Sequence, residues 1–157
     1  MSDDVPALPE GYEISVDPAR VDVERVHRWL ATDAYWALER PRERFEDAVA
    51  HSLNFGVYDT ASGDQVAYAR VVTDHALFAW LCDVYVDRSA RGTGVGTAMV
   101  REVRDHLGGL GVHRILLATK DAHGVYEKIG FRPLEKPDQW MALYFARSTR
   151  GPSITPE

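Results

Sequence analysis

The chain has 157 residues, of which 45% are hydrophobic and 27% are charged, and its formal net charge is −6. This composition is that of an ordinary globular domain and excludes a disordered chain, and no apolar run approaches the roughly 20 residues of a membrane-spanning helix, so we expect no membrane partner. The acidic balance argues against nucleic acid as a partner, and the single cysteine, Cys82, excludes an internal disulfide framework and a cysteine-based zinc site.

The N-terminal part predicts a short strand followed by two helices. Residues 1–11 form a polar arm without the basic and apolar regions of a signal peptide, so we expect a cytoplasmic protein. Residues 12–16 alternate in polarity like a strand, and Asp22 is placed to cap a helix. A second helix is expected after Pro41. The connection between these helices, TDAYWALERP, is aromatic and basic, and we expect its residues to face solvent.

Three strand-like segments follow the second helix. The turns between them are of hairpin length, so the three segments are expected to form an antiparallel meander. They span residues 54–59, 65–73 and 77–86.

The C-terminal part predicts a helix, a buried strand and further short elements. From Val95 the apolar residues recur at every fourth position, which predicts a helix that ends at the glycine pair 108–109. Because this helix precedes the strand at 113–119, that strand is expected to lie parallel to the last meander strand. The remaining predicted elements are a short helix within 121–130, closing strands at 131–134 and 140–146, and a frayed tail at 147–157. The order β-α-α-β-β-β-α-β-α-β-β predicts one mixed α/β domain of the α+β class over residues 1–157.

The stretch VDRSARGTGVGTA at 86–98 places three alternating glycines, Gly92, Gly94 and Gly96, between a strand and a helix. A phosphate-binding nucleotide loop needs Gly-Lys-Ser/Thr, which the chain lacks, and a dinucleotide fingerprint needs a third glycine where this sequence has threonine or methionine. A turn of this kind directs unpaired backbone N–H groups and the positive end of a helix dipole at an anion. A tight turn with incidental glycines is the alternative, and the arginines between residues 88 and 104 are equally typical of a solvated helix face.

Two motifs resemble those of the GNAT superfamily of acetyl-CoA-dependent N-acetyltransferases. Residues 91–96, RGTGVG, match the motif R/Q-x-x-G-x-G/A, and residues 122–131, AHGVYEKIGF, resemble a second signature, A-x-x-x-Y-E-x-x-G-F. The resemblance covers residues 12–146 and implies a GNAT-like fold with a central mixed sheet of six or seven strands flanked by helices. Acetyl-CoA is the implied cosubstrate, and no metal is expected.

The resemblance also implies a coenzyme site at the glycine turn and the strand before it. The backbone amides of the turn are expected to bind the pyrophosphate of coenzyme A, and the pantetheine arm to lie where that strand and the next parallel strand splay apart. A backbone N–H between Asp83 and Tyr85 would then polarise the thioester carbonyl. The coenzyme-binding residues implied in this way are Val84, Tyr85, Val86, Arg91, Gly92, Thr93, Gly94, Val95, Gly96 and Thr97.

Two residues are candidates for proton transfer. Tyr126 occupies the position of the family's general-acid tyrosine, so the resemblance assigns it the proton that the departing thiolate needs, although packing is a common role for such a tyrosine. Asp83 is the candidate base, because an acid inside the apolar run LCDVYV is costly unless it is paired or functional. Pairing, or an exit to solvent at a bulge, is the alternative. Asp74 and His75 are further candidates, and many relatives manage without a dedicated base.

Residues that select the acceptor are expected in the connection between the first two helices and in the meander. Tyr35, Trp36 and Arg70 are the principal candidates, with Arg40 nearby, although core aromatics and solvated arginines explain most of them equally well. An arginine in the cleft would make a carboxylate-bearing amine plausible as the acceptor. Cys82 is expected to be a small buried residue, because nothing beside it supplies the base that a thiol nucleophile needs.

The sequence therefore predicts an N-acetyltransferase that moves an acetyl group from acetyl-CoA to a primary amine of a small molecule by direct attack. Two alternatives are open: acetylation of protein lysines or N-termini, and a non-catalytic acyl-CoA sensor. Tyr126 favours an enzyme over a sensor, because binding alone does not need a phenol. Homodimers are common among such proteins, and the sequence leaves a homodimer open.

Overall fold

The computed structural model describes residues 7–145. Its strands are β1 (Tyr12–Ser15), β2 (Leu53–Asp59), β3 (Gln65–Thr73), β4 (Phe78–Val86) and β5 (Arg114–Leu116). They form one sheet in the order β1-β2-β3-β4-β5. The first four pair antiparallel, whereas β5 pairs parallel to β4, as a helical crossover between them requires.

The described residues contain helices α1 (Val23–Asp33), α2 (Arg42–Ala50), α3 (Val95–Gly109) and α4 (His123–Glu127). Helix α1 begins where the sequence predicted, because the Asp22 carboxylate accepts a hydrogen bond from the Arg25 N–H at 3.0 Å. Helix α3 ends at Gly109, within the glycine pair that was predicted to end it. The chain then turns at Gly111, whose φ of 82° favours glycine.

Helices cover both faces of the sheet. Neighbouring residues of β3 point to opposite faces: Ala69 packs with Met99 and Leu107 of α3, whereas Tyr68 packs with Phe45 of α2. Helix α1 contributes to the same cluster as α2. The connection from β4 to α3 therefore lies at one end of the sheet, where the C-terminus of a strand meets the N-terminus of a helix.

The sheet has fewer strands than the six or seven predicted. Residues 131–134 and 140–145 are described but form no strand, and residue 146 lies outside the described residues. Strand β5 covers only three residues of the predicted 113–119. A short edge strand offers little backbone for pairing, and Pro133 lacks the N–H that a ladder needs. The mixed α+β class itself is confirmed.

Parts of the predicted domain lie outside the described residues. The N-terminal arm predicted at 1–11 is described from residue 7 onward, and the tail predicted at 147–157 is outside. A single domain over 1–157 therefore stays a prediction. None of the helices in residues 7–145 has the length and apolar character that a membrane span requires.

Candidate active site

A pocket opens where β4 and β5 separate. Their parallel pairing ends with Trp80 opposite Leu116. Beyond this pair, residues 81–84 of β4 and the segment 117–119 line a pocket of about 340 Å³. Six of the predicted site residues also line it: Tyr35, Trp36, Arg70, Asp83, Val84 and Tyr126.

A β-bulge sets the position of Asp83 in this pocket. The register between β3 and β4 passes from Tyr68 opposite Tyr85 to Arg70 opposite Cys82, so two residues of β4 stand against one residue of β3. Asp83 has a φ of 50°, in the left-handed region, which costs a residue other than glycine on the order of 1–3 kcal/mol. Such a conformation persists only where the surrounding structure holds it.

Asp83 is only 3% exposed, and three side chains hold its carboxylate. Trp36 Nε1 donates to Oδ1 at 3.0 Å, while Arg40 Nη1 and Arg70 Nε donate to Oδ2 at 2.7 and 2.8 Å. Burial alone would raise the pKa of Asp83, but the charges and hydrogen bonds of the two arginines outweigh it and hold the pKa below its ordinary value. A carboxylate with a lowered pKa is a weak base, so this arrangement favours the pairing alternative.

Tyr126 lies half-buried on α4 and lines the same pocket. Its ring meets the Phe131 ring edge to face, with the ring centroids 5.8 Å apart. Burial, together with the neighbouring Tyr35, raises the pKa of Tyr126 to about 12. The phenol therefore keeps its proton at neutral pH, which is the state that a general acid requires.

An aromatic pair joins two segments that line the pocket. Tyr35 and Trp36 lie in the connection between α1 and α2, and their rings meet edge to face at a centroid distance of 4.9 Å. The Lys120 backbone N–H donates to the Tyr35 hydroxyl at 3.0 Å, which links this connection to the segment between β5 and α4. The connection that was expected to face solvent thus contributes Trp36 and Arg40 to the site.

The glycine turn lies at the N-terminus of α3. Gly94 is the N-cap residue, and its φ of 90° favours glycine. The helical hydrogen bonds begin with the Ala98 N–H, which donates to the Gly94 oxygen at 3.0 Å. Within residues 7–145, the N–H groups of Gly96 and Thr97 have no hydrogen-bond acceptor, so they lie unpaired at the positive end of the helix dipole. The same turn includes Arg91, Gly92, Thr93 and Val95.

The side chains of two implied coenzyme residues point to α1 instead. The Tyr85 hydroxyl donates to the Asp33 carboxylate at 2.6 Å. Arg91 Nη2 lies 3.3 Å from the same carboxylate, and Arg91 Nε donates to the Val86 oxygen at 2.9 Å. Sequence reasoning missed Asp33, because its partners are more than 50 positions away and no local pattern marks it. At the buried Tyr85, the backbone is therefore the part most available to a coenzyme.

Cys82 lines the pocket without the features of a nucleophile. Burial raises the pKa of the Cys82 thiol to about 11, and its sulfur lies 3.5 Å from the Arg70 backbone oxygen. The thiol therefore stays protonated at neutral pH. In residues 7–145, no group of His, Cys, Asp and Glu side chains is arranged to hold a metal ion.

Comparisons with known proteins agree on one family. A family model described as the acetyltransferase (GNAT) family matches residues 23–131. A Gibberella zeae protein described as an acetyltransferase is 29% identical over 135 residues, which cover 74% of this chain and 76% of that protein. Glucosamine 6-phosphate N-acetyltransferase 1 of Oryza sativa subsp. japonica is 35% identical over 115 residues, which cover 66% of this chain and 67% of that protein. A protein from Xanthomonas campestris pv. campestris, described as a GNAT-family acetyltransferase, has a crystal structure that matches this one with a TM-score of 0.81. The two sequences are 39% identical, and the match covers 88% of this chain and 96% of that one.

Proposed function

The chain belongs to the GNAT family of acetyltransferases, and we propose that it transfers the acetyl group of acetyl-CoA directly to a primary amine of a small molecule. The observation that most supports this proposal is the position of Tyr126, a half-buried, protonated phenol, in the pocket between the separated strands β4 and β5. A phenol in that place supports proton transfer to a leaving group, which simple binding does not need.

The chain offers groups that fit acetyl-CoA, which supplies an acetyl group activated as a thioester. The unpaired N–H groups of Gly96 and Thr97, at the positive end of the α3 dipole, suit the diphosphate. The edge of β4 around Val84, from which β5 has separated, suits the amides of the pantetheine arm.

The chain's own groups then account for the steps of a direct transfer. A backbone N–H near Val84 stabilises the negative charge that develops on the carbonyl oxygen as the amine attacks. Tyr126 gives its proton to the sulfur as the carbon–sulfur bond breaks. Because two arginines hold Asp83, we propose that water accepts the proton that the amine loses. Asp83 then has the role of positioning Arg40 and Arg70.

A small acceptor fits this pocket better than a protein side chain. The hydrogen bond between Lys120 and Tyr35 ties together two segments that line the pocket, whereas a protein acceptor needs an open groove. Incubation with acetyl-CoA and a panel of small amines, next to a lysine peptide, should release free thiol with small amines. Thiol release with the peptide alone would favour the protein acceptor, and saturable binding of acetyl-CoA without thiol release would favour the sensor.

Gly96→Ala should weaken the binding of acetyl-CoA. A Cβ at this position would lie 2.9 Å from Val86 Cγ2, so either the Val86 side chain or the first turn of α3 must shift, and a shift of the turn would displace its N–H groups. We expect the Kd to rise by about tenfold, because overpacking costs on the order of 1–3 kcal/mol. Calorimetric titration measures the change. Gly108→Ala is the matched control, since a Cβ there meets open space in the same helix, and equal Kd values for the two variants would contradict the prediction.

Cys82→Ala should retain turnover within about twofold, because a thiol that stays protonated is not the nucleophile. Steady-state thiol release measures this directly. Intact-protein mass spectrometry after mixing with acetyl-CoA alone should show no acetylated cysteine. Loss of turnover in a folded Cys82→Ala variant, or acetylation of Cys82, would contradict direct attack.

A further inference from the structure

Two guanidinium groups meet at one carboxylate oxygen inside the acceptor pocket. Arg40 Nη1 and Arg70 Nε both donate to Asp83 Oδ2, and all three residues line the pocket. The arginine side chains are only 21% and 15% exposed, so neither is an ordinary solvated surface arginine. They come from different parts of the chain, the connection before α2 and strand β3, and the fold brings them together.

The charges of this cluster do not balance. Asp83 contributes one negative charge against the two positive charges of Arg40 and Arg70. Partly buried charge that lacks a counter-charge is costly, because desolvation is not repaid. The other acidic residue that lines the pocket, Asp121, is exposed and forms none of the described ion pairs with these arginines. One further negative charge would therefore neutralise the cluster.

The arginines also retain donors. Arg40 uses one N–H on Asp83, and Arg70 uses one on Asp83 and one on the Ser52 hydroxyl at 3.2 Å. Within residues 7–145 the remaining N–H groups of the two guanidiniums have no acceptor, while each planar fork offers five donors in all. A fork of this kind matches the two oxygens of a carboxylate.

We propose that the acceptor amine carries a carboxylate, which Arg40 and Arg70 bind while Asp83 holds the two guanidiniums in place. This inference rests on the acetyl transfer proposed above and names the class of its acceptor. One negative charge would neutralise the cluster of Asp83, Arg40 and Arg70, so a singly charged carboxylate is favoured over a dianionic phosphate. Asp83 thereby acts as a positioning residue, and the arginines select the acceptor.

The test compares acceptors that differ only in this charge. Each common L-amino acid, β-alanine and 4-aminobutyrate is paired with its primary amide, and 2-aminoethyl phosphate is added. A carboxylate raises the pKa of a nearby ammonium group, so intrinsic reactivity at neutral pH favours the amides. We expect the opposite for this enzyme, with kcat/KM at least about tenfold higher for the best acid than for its amide, because charge-assisted hydrogen bonds distinguish the two.

The variants separate recognition from folding. Arg40→Met removes one guanidinium and should reduce the preference for the acid by about tenfold or more through KM. Arg40→Lys retains the charge without the fork and should fall between wild type and Arg40→Met. Arg44→Gln, on the exposed side of α2, is the control and should leave the preference unchanged. Circular dichroism and thermal unfolding of each variant establish that it is folded.

Each outcome decides one point. Thiol release that is equal for acids and amides, or a preference that Arg40→Met leaves intact, overturns the carboxylate inference but leaves acetyl transfer standing. A preference for 2-aminoethyl phosphate would show that Arg40 and Arg70 bind a phosphate group of the acceptor, which also overturns the carboxylate inference. If no amine releases thiol, the proposed acetyl transfer to small amines fails, and thermal shift in the presence of coenzyme A then tests the carboxylate inference. Stabilisation by an acid but not by its amide, if it is lost in Arg40→Met, supports the inference. Equal stabilisation by the acid and its amide overturns it.

Discussion

Tyr126→Phe is expected to lower kcat for acetyl transfer by about a hundredfold, because a positioned general acid contributes on the order of 10²–10⁴ to the rate. The phenylalanine ring keeps the edge-to-face contact with Phe131 and the shape of the pocket, so the Kd for acetyl-CoA should change little. Single-turnover kinetics, together with calorimetry, separate the chemical step from binding.

Tyr58→Phe is the matched control for this experiment. Tyr58 is buried in β2, outside the residues that line the pocket, and its hydroxyl has no hydrogen-bond partner among the described residues. Removal of that hydroxyl should leave both kcat and stability close to wild type. If Tyr126→Phe and Tyr58→Phe had the same kcat, Tyr126 would be a packing residue and not the acid.

The raised pKa of Tyr126 also gives the pH dependence a direction. With a pKa of about 12, the phenol remains protonated through neutral and mildly alkaline pH. The rate should therefore rise with pH as the acceptor amine loses its proton. Ionisation of Tyr126 should not lower the rate at any pH up to about 10. A fall in kcat between pH 8 and pH 10 that disappears in Tyr126→Phe would assign the phenol a much lower pKa than its burial gives it.

The residues that the sequence could identify are those with a local pattern. The glycine turn follows from three glycines between a strand and a helix, and the positive φ of Gly94 and the close approach of Val86 to Gly96 both favour glycine. Tyr126 follows from the second motif. Asp83 was conspicuous as an acid in an apolar run, and the pairing that the sequence left open as an alternative occurs; Asp83 lies at a bulge but is buried and has no exit to solvent.

The partners of Asp83 and the end of the sheet could not be predicted in the same way. Arg40 is 43 positions from Asp83, and no periodicity relates a loop arginine to a strand carboxylate that meets it only after folding. The apolar run at 140–146 is typical of a strand, but a strand also needs a neighbour with free backbone groups. Strand β5 is only three residues long, so pattern alone overstated the number of strands.

Asp83→Asn is expected to destabilise the protein by about 3–5 kcal/mol, the usual cost of removing one partner from a buried ion pair. The amide retains the size of the side chain and tolerates the φ of 50°, but it leaves Arg40 and Arg70 side by side without their shared counter-charge. Urea unfolding at pH 7 measures the loss. Asp105→Asn removes an exposed carboxylate that pairs with Arg104, and as a surface substitution it should change stability by less than about 0.5 kcal/mol.

The pH dependence of the Asp83→Asn effect separates pairing from base catalysis. The pKa of Asp83 is lower in the folded protein than its ordinary value of 3.8, so its stabilising contribution is complete above that value and is lost as the pH falls through the folded pKa. The difference in unfolding free energy between wild type and Asp83→Asn should therefore be constant from pH 5 to pH 8 and shrink below about pH 4. A base would give another result: Asp83→Asn would be as stable as wild type, and its kcat would fall by about a hundredfold or more with loss of the acidic limb of the rate profile. That combination would identify Asp83 as the general base. A large loss of stability, with an altered KM for the acceptor, instead identifies Asp83 as the residue that holds the two arginines in place.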